Sequence, residues 1–202
     1  MRSFNGSKEI RINNLSYKNI IRDINITFIQ GINFLKGENG AGKSILMDCL
    51  SGINSSYKGE IQGNDNIIYL NQNLYFSPRL ICKDFVEFVF RLEGIKDYKE
   101  FWENRITFLK QNLMIEKIWK RPIGMLSGGE QAKLFFLAIT CLEREWYLLD
   151  EPFSGVDTKG KDMMIEVIQM LVQKQRGVII TSHEEDIVYK LGDVNTVYLK
   201  NK

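Results

Sequence analysis

The chain has few cysteines, a single histidine, almost no net charge and no long apolar run. Each scarcity excludes something. Cys49, Cys82 and Cys141 are odd in number, far apart and in no C-x-x-C pair, so a reduced, cytosolic setting is the simpler reading. The net charge of +2 comes from 27 basic and 25 acidic residues, with no long basic run, so no nucleic-acid partner is expected. The N-terminal stretch "MRSFNGSKEI" contains no apolar segment resembling a signal peptide. The most apolar run, "LFFLAITCL" at Leu134 to Leu142, is too short to span a bilayer and contains Thr140. Work at a membrane would therefore need a membrane part supplied by another chain. There is no internal repeat and no low-complexity tract.

What is present is an alternation of strand and helix patterns in 202 residues, enough for one domain with a substantial core and an inserted subdomain. "EIRINNLSY" and "INITFI" have near-alternating apolar residues and read as N-terminal strands. "GINFL" is a short strand running into the glycine-rich "GENGAGKS", and "KSILMDCL" follows as a helix. "GEIQ" and "NIIYL" read as further strands. From about Leu80 to Leu113, helical spacing of Phe85, Val86, Val89 and Phe90, then of Trp102, Ile106 and Leu109, marks a helical block inserted in an α/β core. Afterwards come a helix from "LSGGEQ", the strand "WYLLDE", a helix near Lys161 to Gln173, the strand "VIITS" and a last strand "NTVYLK". Such alternation predicts a largely parallel sheet with its chemistry beyond the carboxyl ends of the strands.

"GENGAGKS" fits G-x-x-x-x-G-K-S in full, in the required order of strand, loop and helix. Gly37, Gly40 and Gly42 let backbone N–H groups turn inward around phosphate, with Glu38, Asn39 and Ala41 completing the loop. Lys43 is expected to reach the β- and γ-phosphates, and the Ser44 hydroxyl to bind Mg²⁺. Asp150 ends an apolar strand, the position from which a carboxylate serves that metal. Glu151 follows it; one step along a strand end points it elsewhere, where it could hold and deprotonate an attacking water. His183, at a third strand end, could bond the γ-phosphate or orient the glutamate. Gln72 could offer its carbonyl oxygen to Mg²⁺ or to that water. Tyr17, read as lying between the first two strands, could stack on an adenine ring. Each also has a plainer alternative: a solvated acid, a surface histidine, an idle loop glutamine, a packed tyrosine. Ser127 in "LSGGEQ" starts a helix in capping position, a second anion-attracting helix end in one chain.

Together these residues resemble the nucleotide-binding domain of ATP-binding-cassette (ABC) proteins, over nearly the whole chain and in the family's order. The resemblance makes Tyr17 the adenine platform, Gly37 to Ser44 the Walker A loop, Gln72 the glutamine loop, "LSGGEQ" the signature, "WYLLDE" Walker B, Ser154 to Asp157 the D-loop and His183 the switch histidine. It implies one ABC ATPase domain over 1–202, of the P-loop α/β class, with an N-terminal antiparallel β-subdomain and a helical subdomain at about 76–142. It also implies ATP and Mg²⁺ as cofactors and a head-to-tail dimer, homo- or heteromeric. In that dimer Ser127, Gly128, Gly129 and Glu130 of one chain close over the ATP held by the other. Its partners would be a second ABC subunit and a separate transmembrane permease, placing the chain on the cytoplasmic face of the membrane. Phe76, Phe85, Phe88 and Trp102 lie near the expected docking neighbourhood, although core packing suits most of them. Ile45 stands where a small hydroxyl residue is common, the helix after the signature lacks a frequent arginine, and the stretch from Lys43 to Gln72 is short. None of these removes a phosphate or metal ligand. A soluble ABC ATPase of a non-transport assembly, or a nucleotide-binding subunit with little hydrolysis, remains an alternative.

Overall fold

The computed structural model describes residues 9–72, 74–109 and 112–200, the side chains at 112 and 113 excepted. The N-terminal stretch through residue 8, Asn73 beside the glutamine and residues 110–111 of the helical block lie outside the described residues. The chain divides into two compact units: one formed by 1–72, 144–152 and 165–202, the other by 73–143 and 153–164.

The first unit carries two sheets. A three-stranded antiparallel sheet has the order β2–β1–β4, from β1 (Glu9–Tyr17), β2 (Ile21–Ile29) and β4 (Lys58–Gln62). Tyr17 is the last residue of β1 and pairs with Ile21, so it belongs to the ladder rather than to the connection between strands. A five-stranded sheet has the order β5–β6–β7–β3–β8, from β3 (Gly31–Lys36), β5 (Ile67–Leu70), β6 (Trp146–Asp150), β7 (Gly177–Thr181) and β8 (Val194–Tyr198). All of its strand pairs are parallel. β6 and β7 are buried along their whole length, as parallel strands covered on both faces must be. Helix α1 (Lys43–Leu50) turns Leu46, Met47, Cys49 and Leu50 into a core shared with Ile10, Leu15, Phe28, Leu35 and Leu148. Each such fully buried side chain contributes roughly 1.5–3 kcal/mol over exposure. Asn33 is fully buried in β3, yet its amide is used: it bonds Ile29 in both directions and accepts from Asn195 at 2.9 Å. The short α7 (Glu185–Tyr189) precedes β8.

The second unit is helical: α2 (Cys82–Leu92), α3 (Tyr98–Phe108), α4 (Asn112–Ile118), a 3₁₀ turn at Ile123–Met125, α5 (Gly128–Thr140) and the start of α6 (Thr158–Gln173). No side chain caps α2; instead the backbone carbonyls of Arg121 and Trp119 accept its first N–H groups, from Cys82 and Lys83. The helix near Lys161 starts earlier than its apolar spacing shows. The Asp157 carboxylate takes the backbone N–H of Gly160 and an ion pair from Lys133 at 2.9 Å, which ends the loop at Thr158. Phe76 stacks edge-on against Phe85 and Phe135. Phe85 and Trp102 are core residues, while Phe88 is half exposed. Of the four aromatics, Phe88 thus keeps the most surface for a partner.

Candidate functional site

The glycine-rich loop is carried out of the sheet by β3, which lies between β7 and β8. Gly42 adopts φ 94°, and a β-carbon there would press on Ile21 at 3.1 Å and Ile20 at 3.2 Å. Only glycine makes this turn into α1 without strain. α1 has no side-chain cap and no acidic residue in its first turn. Its positive end therefore gets neither a side-chain cap nor a carboxylate from its own first turn, which suits an anion. The Lys43 ammonium lies across the loop, donating to the carbonyls of Gly37 at 2.7 Å and Glu38 at 3.1 Å.

Beside the loop, the parallel register sets Asp150 of β6 opposite Thr181 of β7. The Thr181 hydroxyl donates to Asp150 Oδ1 at 2.5 Å and accepts the Glu151 N–H at 3.0 Å. The Tyr69 hydroxyl donates to Asp150 Oδ2 at 3.4 Å and itself accepts from Asn71 Nδ2 at 3.1 Å. Burial, reinforced by the Asp150 charge, pushes the Tyr69 phenol well above its ordinary range. Burial and the same charge raise the Asp48 carboxyl. Glu151 lies just past the strand with φ 52°, a left-handed conformation costing a non-glycine residue about 1–3 kcal/mol. The divergence of the two adjacent acids therefore comes from this backbone turn, not from strand alternation. Glu151 Oε2 accepts the His183 backbone N–H at 3.0 Å, and Oε1 lies 3.4 Å from His183 Nε2.

One cavity of about 500 Å³ is lined by Asn39, Gly40, Gly42, Lys43, Ser44, Gln72, Asp150, Glu151 and His183, together with Ile20 and Ile45. Gly37, Glu38 and Ala41 line an adjoining space of about 750 Å³ with Lys36, Ser182 and Glu185, where Lys36 pairs with Glu185 at 2.6 Å. Tyr17 packs beside Ile20 on the core, and the Lys18 ammonium stands 5.0 Å from its ring centre. The residues fit a magnesium–triphosphate group. A glycine-rich loop and a helix start with no side-chain cap suit phosphate, while Ser44, Asp150 and Gln72 offer hard oxygen donors of the kind Mg²⁺ takes beside phosphates.

The second helix end differs. Ser127 caps α5 in a full capping box: its hydroxyl accepts the Glu130 N–H at 3.2 Å, and Glu130 Oε2 takes the Ser127 N–H at 2.8 Å and the hydroxyl at 3.1 Å. That backbone bond holds the Glu130 carboxyl below its ordinary value. A β-carbon on Gly128 would meet nothing within 4 Å, whereas one on Gly129 would lie 2.7 Å from the Gly155 carbonyl oxygen.

A family model described as ABC transporter matches residues 21–154, well over half of the chain. The chain belongs to the ABC transporter family. An uncharacterized ABC transporter ATP-binding protein of Methanocaldococcus jannaschii is 29% identical over 201 residues, covering 96% of this chain and 75% of that one. The cobalt import ATP-binding protein of Salmonella paratyphi A is 28% identical over 195 residues, covering 86% and 70%. A solved ATP-binding subunit of an ABC transporter superposes with a TM-score of 0.80 at 18% identity, covering 94% of this chain and 86% of that one. The fold is that of ABC ATP-binding subunits, and ATP binding follows from the family.

Within this ABC subunit the structure brings Lys43, Ser44, Gln72, Asp150, Glu151 and His183 to one cavity. The signature residues lie in the other unit. Sequence reasoning missed Thr181 and Tyr69. The only available signal was a polar side chain at or near the end of an apolar strand, Thr181 last in β7 and Tyr69 next to last in β5, which is too common to single out a site.

Proposed function

We propose that the chain is the ATP-hydrolysing subunit of a transporter. It would work as half of a head-to-tail dimer and drive a separate transmembrane permease from the cytoplasmic face of the membrane. The convergence of Lys43, Ser44, Gln72, Asp150, Glu151 and His183 on one cavity carries this reading. The loop amides of Gly37 to Gly42 and the Lys43 ammonium bind the β- and γ-phosphates of ATP, and Tyr17 offers its ring to the adenine. Ser44, Asp150 and Gln72 would hold Mg²⁺, which when bound would supply neutralisation of charge on the phosphoryl oxygens.

Glu151 directs the attacking water and takes its proton. Its carboxylate is aimed by the His183 backbone N–H at 3.0 Å, and the His183 side chain is exposed enough to meet the γ-phosphate. In the dimer, Ser127 and Gly129 bond the γ-phosphate seated in the partner, and Gly128 lets the two surfaces approach. Gly128 presents no packing obstacle of its own, which fits that role. The similar protein named for cobalt import supports a transport assembly over a non-transport one.

The test is Glu151→Gln beside Lys43→Ala. Glu151→Gln should bind ATP, lose turnover by about a hundredfold or more and accumulate as dimer with Mg·ATP in light scattering. Lys43→Ala should lose ATP binding. Wild-type turnover by Glu151→Gln, or a persistent single subunit, would overturn the reading.

A further inference from the structure

The Thr181 hydroxyl is fully buried and has one proton and two lone pairs to offer. Its proton goes to Asp150 Oδ1 at 2.5 Å, and a lone pair takes the Glu151 N–H at 3.0 Å. A single oxygen atom thus touches both acids of the Walker B pair. On the other side of Asp150, Oδ2 accepts from Tyr69, whose hydroxyl accepts from Asn71, the residue just before Gln72. Asp150 is therefore held through both oxygens, which fixes the rotation of its carboxylate at the wall of the cavity. The bond to Thr181 also anchors the amide of Glu151, whose left-handed backbone at φ 52° needs support from its surroundings.

We propose that Thr181 is a positioning residue for hydrolysis, setting the metal-binding carboxylate of Asp150 and the water-directing carboxylate of Glu151 in fixed relation through its one hydroxyl. This rests on the functions assigned above to Asp150 and Glu151. Thr181→Val keeps the volume and β-branch but leaves the Glu151 N–H without its acceptor and Asp150 Oδ1 without its donor. Thr181→Ser restores the hydroxyl.

The experiment compares these variants with the wild-type chain in ATP turnover. In parallel it measures binding of Mn²⁺ by electron paramagnetic resonance in the presence of a non-hydrolysable ATP analogue. Thr181→Val should lower kcat and weaken Mn²⁺ binding by about ten- to hundredfold each while KM for ATP stays within about threefold, and Thr181→Ser should return both within about threefold of wild type. Should Thr181→Val fail to fold, Thr181→Cys, similar in size with a weaker donor, carries the comparison and should fall between the two. A purely structural role would lower the melting temperature of Thr181→Val but leave kcat and Mn²⁺ affinity of the folded protein unchanged; that result overturns the proposal. If the wild-type chain does not hydrolyse ATP, the fault lies with the function assigned above, and the Mn²⁺ measurement alone decides Thr181.

Discussion

A β-carbon on Gly129 would sit 2.7 Å from the carbonyl oxygen of Gly155, closer than real β-carbon contacts come. The signature helix start and the loop Ser154 to Asp157 are thus fitted backbone to backbone. Its neighbour Gly128 faces open space. The two glycines of one motif therefore answer to different constraints. Gly129→Ala should lower the melting temperature of the isolated chain, because rigid backbone has to move; about 1–3 kcal/mol is the usual cost of overpacking. Gly128→Ala should melt close to wild type yet form less ATP-dependent dimer. Thermal denaturation and light scattering separate the two, and equal melting loss for both would contradict the packing difference.

Ser127→Ala removes the capping hydroxyl and should destabilise the chain by about 1 kcal/mol, read from denaturant titration. Its ATP affinity as a monomer should stay close to wild type, since the cavity of Lys43 and Asp150 contains no signature residue. Binding lost to the degree seen in Lys43→Ala would contradict action across a dimer.

The capping box also gives a pH dependence. Glu130 has its carboxyl lowered chiefly by the Ser127 N–H. A lowered carboxyl stabilises the folded chain fully above its ordinary value and loses that contribution as pH falls through the folded value. Wild type should therefore lose more stability than Glu130→Gln between neutral pH and the region below the ordinary glutamate value. Parallel losses in the two chains would remove Glu130 as the cause.

The cysteines should be inert to thiol reagents in the folded state. Cys49 and Cys141 are buried, and burial pushes their thiols up to about 11 and about 12. Cys82 is also buried, and its thiol is raised for the same reason. At mildly alkaline pH a disulfide-exchange reagent should titrate no thiol until denaturant is added. Rapid modification of the native chain would show that one of the three opens readily.

Local features were legible wherever a short stretch contains its own physics. α1 begins at Lys43 as the residue pattern indicates, and Ser127 caps α5. The P-loop glycines and the capping serine act on neighbours a few residues away, so their order in the chain is already their geometry. Where a side chain's partner came from another strand, the pattern was silent. Thr181 lies 31 residues from Asp150 along the chain, and only the β6–β7 register makes them neighbours. α6 begins at Thr158, ahead of the expected start near Lys161, because Asp157 takes the Gly160 N–H and so caps the helix one turn earlier.

The two glycine-rich helix ends differ in how they are capped. Both are glycine-rich and both follow a hydrophobic stretch. α1 is uncapped, with its positive end facing the cavity of Ser44 and Asp150; α5 carries its own carboxylate in Glu130. The sequence by itself determined the family, the phosphate loop and the identity of the acids, because these are properties of contiguous residues. Tertiary structure decided which hydroxyl holds those acids, which glycine is packed and which is free, and where Glu151 points. Those depend on strand register, on backbone approaching backbone and on one left-handed turn, none of which leaves a mark in the order of the residues.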